Sequence, residues 1–218
     1  MKKLCIFDFD GTLFDSLTDV AKCFNKSFEI LGFEQLDLDF YIKSLGGNIY
    51  EITSLILKDK NTPENIELVK NTYEEIYSND LKENTRLFNG MLEVLEQLQK
   101  EDMILAINSN RSYDSISYFI NKYAPDIDFI DIQGPVPTKA SKPDPYGVNT
   151  IIKKSNVTKE ETLYIGDSAT DIQTAKNAGI DCILVTWGYG VGDVYEDEYP
   201  VAIVNDKDEL LKSIKKVK

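Results

Sequence analysis

The chain has 218 residues, of which 42% are hydrophobic and 28% charged, enough for one α/β domain plus a smaller unit. A formal net charge of -13 argues against binding to nucleic acid or to an anionic membrane surface. There is no histidine, which excludes phosphohistidine chemistry, Ser-His-Asp hydrolases and histidine-ligated zinc. Proton transfer in any enzyme of this sequence would fall to carboxylates, lysine or tyrosine.

Three scattered cysteines, Cys5, Cys23 and Cys182, form no C-x-x-C pair. Such an unpaired set is typical of a reducing compartment, and each cysteine lies within an apolar pattern. No apolar stretch approaches membrane-spanning length. We therefore expect a soluble cytoplasmic protein, a monomer or homodimer, with buried thiols and no membrane or nucleic-acid partner.

Six short apolar runs recur along the chain with helical patterns between them. The runs are Leu4–Phe7, Met103–Ile107, Phe129–Ile132, Leu163–Ile165, Cys182–Val185 and Val201–Val204. Brief continuous runs are typical of buried strands in a parallel sheet. Their alternation with helices predicts an α/β fold with a doubly wound parallel sheet.

The region between the first two runs has only helical patterns. After Asp15-Ser16, which we interpret as an N-cap, an amphipathic helix is predicted up to Leu31, before Gly32. Further helices are predicted over Ile49–Leu57 and from Thr62-Pro63 onward. We therefore predict an all-helical domain, residues 15–85, inserted after the first strand of a core formed by residues 1–14 and 86–218.

The segment Asp8-Phe9-Asp10-Gly11-Thr12 directly follows the first predicted strand. Two neighbouring carboxylates repel each other unless a cation lies between them or one holds a proton. Both arrangements assist phosphoryl transfer, since a cation screens the incoming phosphate and a protonated carboxyl serves the leaving group. Taken alone, the motif is equally compatible with a solvated acidic turn.

Three further polar motifs lie at comparable positions, namely Asn108-Ser109-Asn110, Ser141-Lys142-Pro143-Asp144-Pro145 and Gly166-Asp167-Ser168-Ala169-Thr170-Asp171. Individually they are explained as a turn, a solvated surface lysine and a helix cap. However, Asp8, Ser109 and Asp167 each follow a predicted strand, and the carboxyl ends of parallel strands meet in one crevice. Carboxylates, a hydroxyl and a lysine would converge there, sufficient for a nucleophile, an acid/base, a metal site and an anion clamp.

The four motifs, in this order and over nearly the whole chain, resemble those of the haloacid dehalogenase superfamily. The resemblance implies a Rossmann-like core with a helical cap, and an enzyme that uses Mg²⁺. It implies that Asp8 is the nucleophile, Asp10 the general acid and then base, and Lys142 the cation that offsets their charge.

The same resemblance implies two binding sets. Ser109, the amide of Asn110, and Gly11 and Thr12 would bind the transferring phosphoryl group. Magnesium would be held by the Asp8 side chain, the Asp10 carbonyl and Asp167, with Asp171 supporting its water ligands.

The details favour one branch. Relatives that displace halide or cleave carbon–phosphorus bonds lack the second aspartate of the first motif, whereas Asp10 is present here. A helical insert after the first motif is similar to the cap of the phosphoglycolate phosphatase and β-phosphoglucomutase branch. Leu45-Gly46-Gly47, Phe88-Asn89-Gly90 and Trp187-Gly188-Tyr189-Gly190 resemble the phosphatase side. The expected function is a phosphatase acting on a small phosphorylated metabolite, a phosphoric monoester hydrolase, with Lys43 and Arg111 as candidate substrate contacts.

Three alternatives stay open at this point. A sugar phosphomutase of the β-phosphoglucomutase type shares the same core residues, and a sugar bisphosphate requirement would reveal it. A phosphoryl-accepting signalling domain also uses Asp, Ser or Thr and Lys, but its accepting aspartate follows a middle strand of a shorter chain. An inactive binding module is disfavoured by the intact motif set.

Overall fold

The computed structural model describes residues 1–135 and 141–217. Its strands are β1 (Leu4–Phe7), β2 (Phe14–Asp15), β3 (Arg86–Leu87), β4 (Ile104–Asn108), β5 (Phe129–Gln133), β6 (Thr162–Gly166), β7 (Asp181–Val185) and β8 (Ala202–Val204). Its helices are α1 (Leu17–Leu31), α2 (Leu38–Ser44), α3 (Ile49–Leu57), α4 (Pro63–Asn79), α5 (Met91–Lys100), α6 (Tyr113–Tyr123), α7 (Tyr146–Ser155), α8 (Ala169–Ala178) and α9 (Lys207–Lys216). No helix of these described residues is long and apolar enough to cross a membrane.

The main sheet has six strands in the order β5-β4-β1-β6-β7-β8, and all neighbouring pairs are parallel. Each predicted apolar run forms one of these strands. The central strand β1 is fully buried because both faces of the sheet are covered. The predicted doubly wound α/β fold is confirmed.

Alternating residues of β1 separate the two faces of the sheet. Cys5 and Phe7 pack with apolar residues of α5, α6 and α9, whereas Leu4 and Ile6 pack with those of α7 and α8. Because consecutive strand residues point to opposite faces, the four-residue run contributes to both layers of the core. The three cysteines are buried and unpaired in the structure, as the apolar pattern predicted.

Four helices, α1 to α4, lie between β2 and β3 and enclose a third apolar cluster, which we call the cap core. The predicted helices are present as α1, α3 and α4, and α1 ends at Gly32, whose φ is 75°. Helix α2 was not predicted. Its seven residues make barely two turns, and Tyr41 is its only buried large side chain, so the sequence carries no clear helical period there.

The chain passes between the sheet domain and the cap through β2 and β3, which pair antiparallel. The sequence gives no signal for these strands because two residues are too few to show alternation. They lie where residues 14–15 leave the core and residues 86–87 re-enter it. The two linkers are thus hydrogen-bonded to each other.

A buried carboxylate fastens the cap to its return linker. Asp19, in the first turn of α1 and 2% exposed, accepts hydrogen bonds from the backbone N–H groups of Asn84 (3.0 Å) and Thr85 (2.7 Å). The Asn84 amide and the Thr85 hydroxyl donate to it as well, each at 2.7 Å. Burial by itself would raise the pKa of Asp19, but these hydrogen bonds outweigh burial and lower it.

We expect Asp19→Asn to lower the free energy of unfolding by about 1.5–3 kcal/mol, because an amide nitrogen would then face donors that the charged carboxylate satisfied. Chemical denaturation measures the change. Asp39→Asn, the same substitution at an exposed position of the cap, is the control and should stay within about 0.5 kcal/mol of the wild type. Equal effects of the two substitutions would contradict the role given to Asp19.

Candidate active site

The polar motifs meet at the carboxyl edge of the sheet because β4, β1 and β6 are adjacent parallel strands. Asp8 follows β1, Ser109 follows β4 and Asp167 follows β6, and these side chains belong to residues only 6%, 4% and 1% exposed. The structure therefore brings together residues that lie more than 150 positions apart in sequence. Side chains this polar are rarely buried unless they are paired or bind a ligand.

Lys142 lies at the centre of this group. Its ammonium is 2.8 Å from Asp8 Oδ1 and 2.7 Å from Asp171 Oδ1, and the residue is 6% exposed. Burial disfavours the ammonium, but the carboxylates of Asp171 and Asp8 overcome that effect and hold the pKa of Lys142 well above its ordinary value. The lysine is thus a fixed internal cation and not a solvated surface charge.

The side chain of Asn110 holds the backbone of Lys142 in place. Its Oδ1 accepts from the Lys142 N–H at 2.9 Å, and its Nδ2 donates to the Lys142 carbonyl at 3.3 Å. Asn110 follows β4, whereas Lys142 precedes α7, so this pair of bonds joins two motifs. The asparagine side chain acts here on the loop, while its backbone amide stays the predicted phosphate donor.

Asp171 has both carboxylate oxygens occupied by protein donors. Oδ2 accepts from the Ser168 hydroxyl at 2.6 Å and from the backbone N–H groups of Ser168 and Asp167, forming a capping box at the start of α8. Oδ1 accepts from the Tyr164 hydroxyl at 3.2 Å and from Lys142. Asp171 is therefore placed to orient Lys142 and to connect it to the start of α8.

Asp167 is oriented by residues of two loops. Its Oδ1 accepts from the Thr12 hydroxyl at 3.0 Å, and its Oδ2 accepts from the Tyr189 N–H at 2.7 Å. Gly11 has a φ of 83°, and a Cβ at this position would lie 2.3 Å from Asp167 Oδ2. Glycine is required there both by backbone conformation and by the close approach of the carboxylate. The structure thus places Gly11 and Thr12 against Asp167.

The carboxylates of Asp8, Asp167 and Asp171 each offer one oxygen, and these three oxygens lie within 4.8 Å of one another. Lys142 supplies only one positive charge to them. Burial raises the pKa of Asp8 to about 7 although Lys142 opposes the shift, and repulsion from Asp171 adds to it. Burial and the same repulsion raise the pKa of Asp167 well above its ordinary value. An additional cation would relieve this repulsion.

One buried oxygen of this group depends on a single cation. Asp8 Oδ1 is contacted by the Lys142 ammonium at 2.8 Å, and no other described residue donates to it. Lys142 is also shared with Asp171, and a buried carboxylate with so few partners points to a further ligand or ion. An all-oxygen, excess-negative site of this kind fits a hard divalent cation such as Mg²⁺.

The side chain of Asp10 points to a different set of partners. It accepts hydrogen bonds from the guanidinium of Arg111, at 2.9 Å from Nε to Oδ2 and 2.7 Å from Nη2 to Oδ1, and from the Ser16 hydroxyl. Arg111 therefore lies against the predicted acid/base.

The other candidate substrate contact, Lys43, is exposed on α2 of the cap. The segment that follows α2 reaches the core, because the Asn48 side-chain amide donates to the Ser141 hydroxyl at 3.0 Å.

Sequence reasoning missed the role of Tyr189 at the start of the cap. Its hydroxyl accepts from the N–H groups of Ser16 (2.7 Å) and Leu17 (3.0 Å), and lies 3.1 Å from Asp15 Oδ1, to which it donates. Ser16 occupies the predicted N-cap position, but its side chain does not cap α1, because the serine hydroxyl donates to Asp10 instead. Nothing local in the sequence indicates that a residue 173 positions away accepts hydrogen bonds from the start of α1.

This group of residues is suited to phosphoryl transfer, because a buried carboxylate lies beside a fixed cation and within a carboxylate cluster that could hold a metal ion. The fold and these residues are typical of an enzyme built on a parallel sheet, with its polar groups at the carboxyl edge and a helical cap inserted between β2 and β3.

Comparison with known proteins identifies the family. The sequence profile of the haloacid dehalogenase-like hydrolases matches residues 5–185. A phosphoglycolate phosphatase from Aliivibrio fischeri is 26% identical over 215 residues, which cover 96% of this chain and 95% of that relative.

Solved structures agree in fold. A candidate phosphoglycolate phosphatase from Lactobacillus delbrueckii subsp. bulgaricus superposes with a TM-score of 0.91 at 24% identity, covering 98% of this chain and 99% of the other. A candidate haloacid dehalogenase-like hydrolase from Bacteroides fragilis gives a TM-score of 0.88 at 29% identity, covering 96% and 100%. The chain belongs to the haloacid dehalogenase-like hydrolase family, as the four motifs predicted.

Proposed function

We propose that this protein is a magnesium-dependent phosphatase that hydrolyses small phosphate monoesters through a phospho-aspartyl intermediate on Asp8. The observation that carries the proposal is the state of Asp8 itself. Its carboxylate is buried, contacts the Lys142 ammonium at 2.8 Å through Oδ1, and offers an oxygen within 4.8 Å of oxygens of Asp167 and Asp171. A carboxylate held by a single lysine keeps further lone pairs, which a nucleophile needs.

The residues of the four motifs divide the proposed reaction between them. Asp8 attacks phosphorus, and Lys142 offsets the combined negative charge of nucleophile and phosphate. Ser109 and the Asn110 amide bind the transferring phosphoryl group. Ser109 directly follows β4 and lines one small pocket together with Asn110 and Lys142, which supports their acting on the same phosphoryl group.

Magnesium would be held by the Asp8 side chain, the Asp10 backbone carbonyl and Asp167. When bound, it supplies positive charge to the phosphoryl oxygens. Asp171 would support this set indirectly, because its own oxygens accept hydrogen bonds from Lys142 and from Ser168 at the start of α8. Thr12 and Tyr189 fix the orientation of Asp167 through the bonds described above.

Asp10 carries the proton in both halves of the reaction. It protonates the leaving oxygen while Asp8 attacks, and it then takes a proton from the water that hydrolyses the acyl phosphate. Its side chain is 27% exposed, the most accessible of the proposed catalytic carboxylates, as this exchange requires.

The cap limits the substrate to small esters, because its loop already contacts the core through Asn48 and Ser141 beside Lys142. The relatives named phosphoglycolate phosphatases support a phosphoglycolate-like metabolite. A net charge of -13 repels such anions at long range, so attraction must come from local cations such as Lys142 and magnesium. Lys43 is exposed on the cap and is a candidate contact for the substrate's remaining charge.

Magnesium should be required for turnover. We expect hydrolysis of p-nitrophenyl phosphate to disappear with EDTA and return with excess magnesium, while calcium inhibits because its larger coordination shell spoils the attack geometry. Magnesium should also raise the melting temperature of the wild type by preferential binding to the folded state. Asp167→Asn should abolish that rise, whereas the control Asp197→Asn, at a surface aspartate paired with Lys176, should keep it. Full activity in EDTA would contradict the site.

The two aspartates of the first motif should give different kinetic defects. Asp8→Asn should be inactive and never phosphorylated. In Asp10→Asn, p-nitrophenol leaves without much help, but the water step still needs its base. Rapid quench should therefore show a burst approaching one phenolate per active site followed by slow turnover.

Two outcomes would overturn this division of roles. Wild-type turnover by Asp10→Asn would remove Asp10 as the acid/base, and a burst from Asp8→Asn would reverse the two residues. A wild-type reaction that requires a sugar bisphosphate and yields a rearranged sugar phosphate would identify a phosphomutase instead.

A further inference from the structure

Arg111 is a buried cation whose position is fixed by packing. It lies two residues after Ser109, and its side chain is only 8% exposed. The guanidinium carbon lies 5.4 Å from the centre of the Phe9 ring, 5.9 Å from that of Phe119 and 5.3 Å from that of Tyr77. Phe9 and Phe119 belong to the core, whereas Tyr77 belongs to α4 of the cap. Guanidinium groups at such distances from aromatic faces are attracted to them.

All three nitrogens of this guanidinium donate to protein acceptors. Nε and Nη2 bind the carboxylate of Asp10, so that both of its oxygens are engaged. Nη1 donates to the hydroxyl of Tyr77 and, at 3.0 Å, to that of Ser115. A group with its donors committed in this way is poorly placed to bind a substrate anion as well.

Tyr77 is itself held in place where the cap meets the core. The ammonium of Lys82, in the return linker, lies 4.8 Å from the centre of the Tyr77 ring and 5.7 Å from that of Tyr118 on α6. Tyr77 also stacks on Tyr73 at 5.4 Å. Its hydroxyl therefore has a defined position relative to the cap.

We propose that Arg111 is a positioning residue for Asp10, and that Tyr77 makes this positioning depend on the seating of the cap. The inference rests on the proposed function, in which Asp10 is the acid/base. A two-point contact fixes the plane of the Asp10 carboxylate, and a single-point contact would leave it free to rotate. The hydrogen bond from Arg111 Nη1 to the Tyr77 hydroxyl fixes the guanidinium in turn. The position of the Asp10 carboxylate is thereby linked to the position of the cap.

Removing the guanidinium should lower turnover without weakening substrate binding. Misplacing a reacting group by about 1 Å costs on the order of 100-fold, so we expect Arg111→Met to lower kcat for p-nitrophenyl phosphate by about 10- to 100-fold. KM should change by less than about threefold, because the side chain contacts Asp10 and not the substrate. Lys176→Met, which removes a paired cation elsewhere on the core, is the matched control and should keep wild-type kinetics.

Arg111→Lys guards against a folding defect, because it keeps the buried charge while losing the two-point fork. It should be folded by circular dichroism and still have a lowered kcat. A raised KM with unchanged kcat in either variant would make Arg111 a substrate contact, and unchanged kinetics would make it purely structural. Both results would overturn the proposal.

Tyr77 supplies the test of the cap link. Tyr77→Phe keeps the ring but loses the hydroxyl, and should lower kcat about three- to tenfold, the size of one hydrogen bond. Tyr41→Phe, which removes a cap hydroxyl bonded to Asn25 at 2.8 Å, should not change kcat. In an Arg111→Met background, Tyr77→Phe should have little further effect, since the two act through one contact. Fully additive losses would contradict the link.

A measurement that needs no turnover separates this inference from the proposed function. The Nε–H signal of Arg111, identified in the NMR spectrum by its loss in Arg111→Met, should shift in Asp10→Asn and in Tyr77→Phe but not in Tyr41→Phe. Such coupled shifts would support the link even if the wild type hydrolysed no phosphate ester. A signal unmoved by Tyr77→Phe would overturn it.

Discussion

The burial of negative charge around one lysine is the constraint on which the site depends. Lys142 contacts Asp8 and Asp171 at 2.8 and 2.7 Å, and Asp167 completes a cluster whose negative charge the lysine only partly neutralises. Breaking such a buried network by removing one partner is usually costly, because it leaves another charge unpaired. The fold tolerates this arrangement where three strand ends meet and a further cation can bind.

The remaining contacts transmit that geometry to the cap. Tyr189 joins Asp167 through its backbone to the start of α1 through its hydroxyl, and Asp19 fastens α1 to the return linker. Arg111 also joins the core to the cap, because it donates hydrogen bonds to both Asp10 and Tyr77. The carboxylates proposed for catalysis and the attachment of the cap thus share hydrogen-bonded neighbours. In the proposed reaction, closing the cap and aligning the acid/base would be one event.

The sequence predicts those parts of the molecule that depend on local patterns. The six strands follow from short apolar runs, and the clustering of Asp8, Ser109 and Asp167 follows from their positions after parallel strands. What it could not predict depends on how distant elements pack. The pairing of Arg111 with Asp10, the cap of α1 by Tyr189 and the burial of Asp19 all join segments separated by about 65 residues or more. Helix α2 was not predicted for a different reason, because two helical turns are too short to show a clear period of apolar residues.

The most direct test of the central claim is chemical trapping of the phosphorylated residue. Wild-type protein is mixed with substrate and magnesium, quenched and treated with borohydride, which reduces an acyl phosphate to an alcohol. Peptide mass spectrometry should then find homoserine in place of Asp8, only when substrate was present. Active enzyme that yields no homoserine, or yields it at Asp10 or Asp167 instead, would contradict the assignment of Asp8 as the nucleophile.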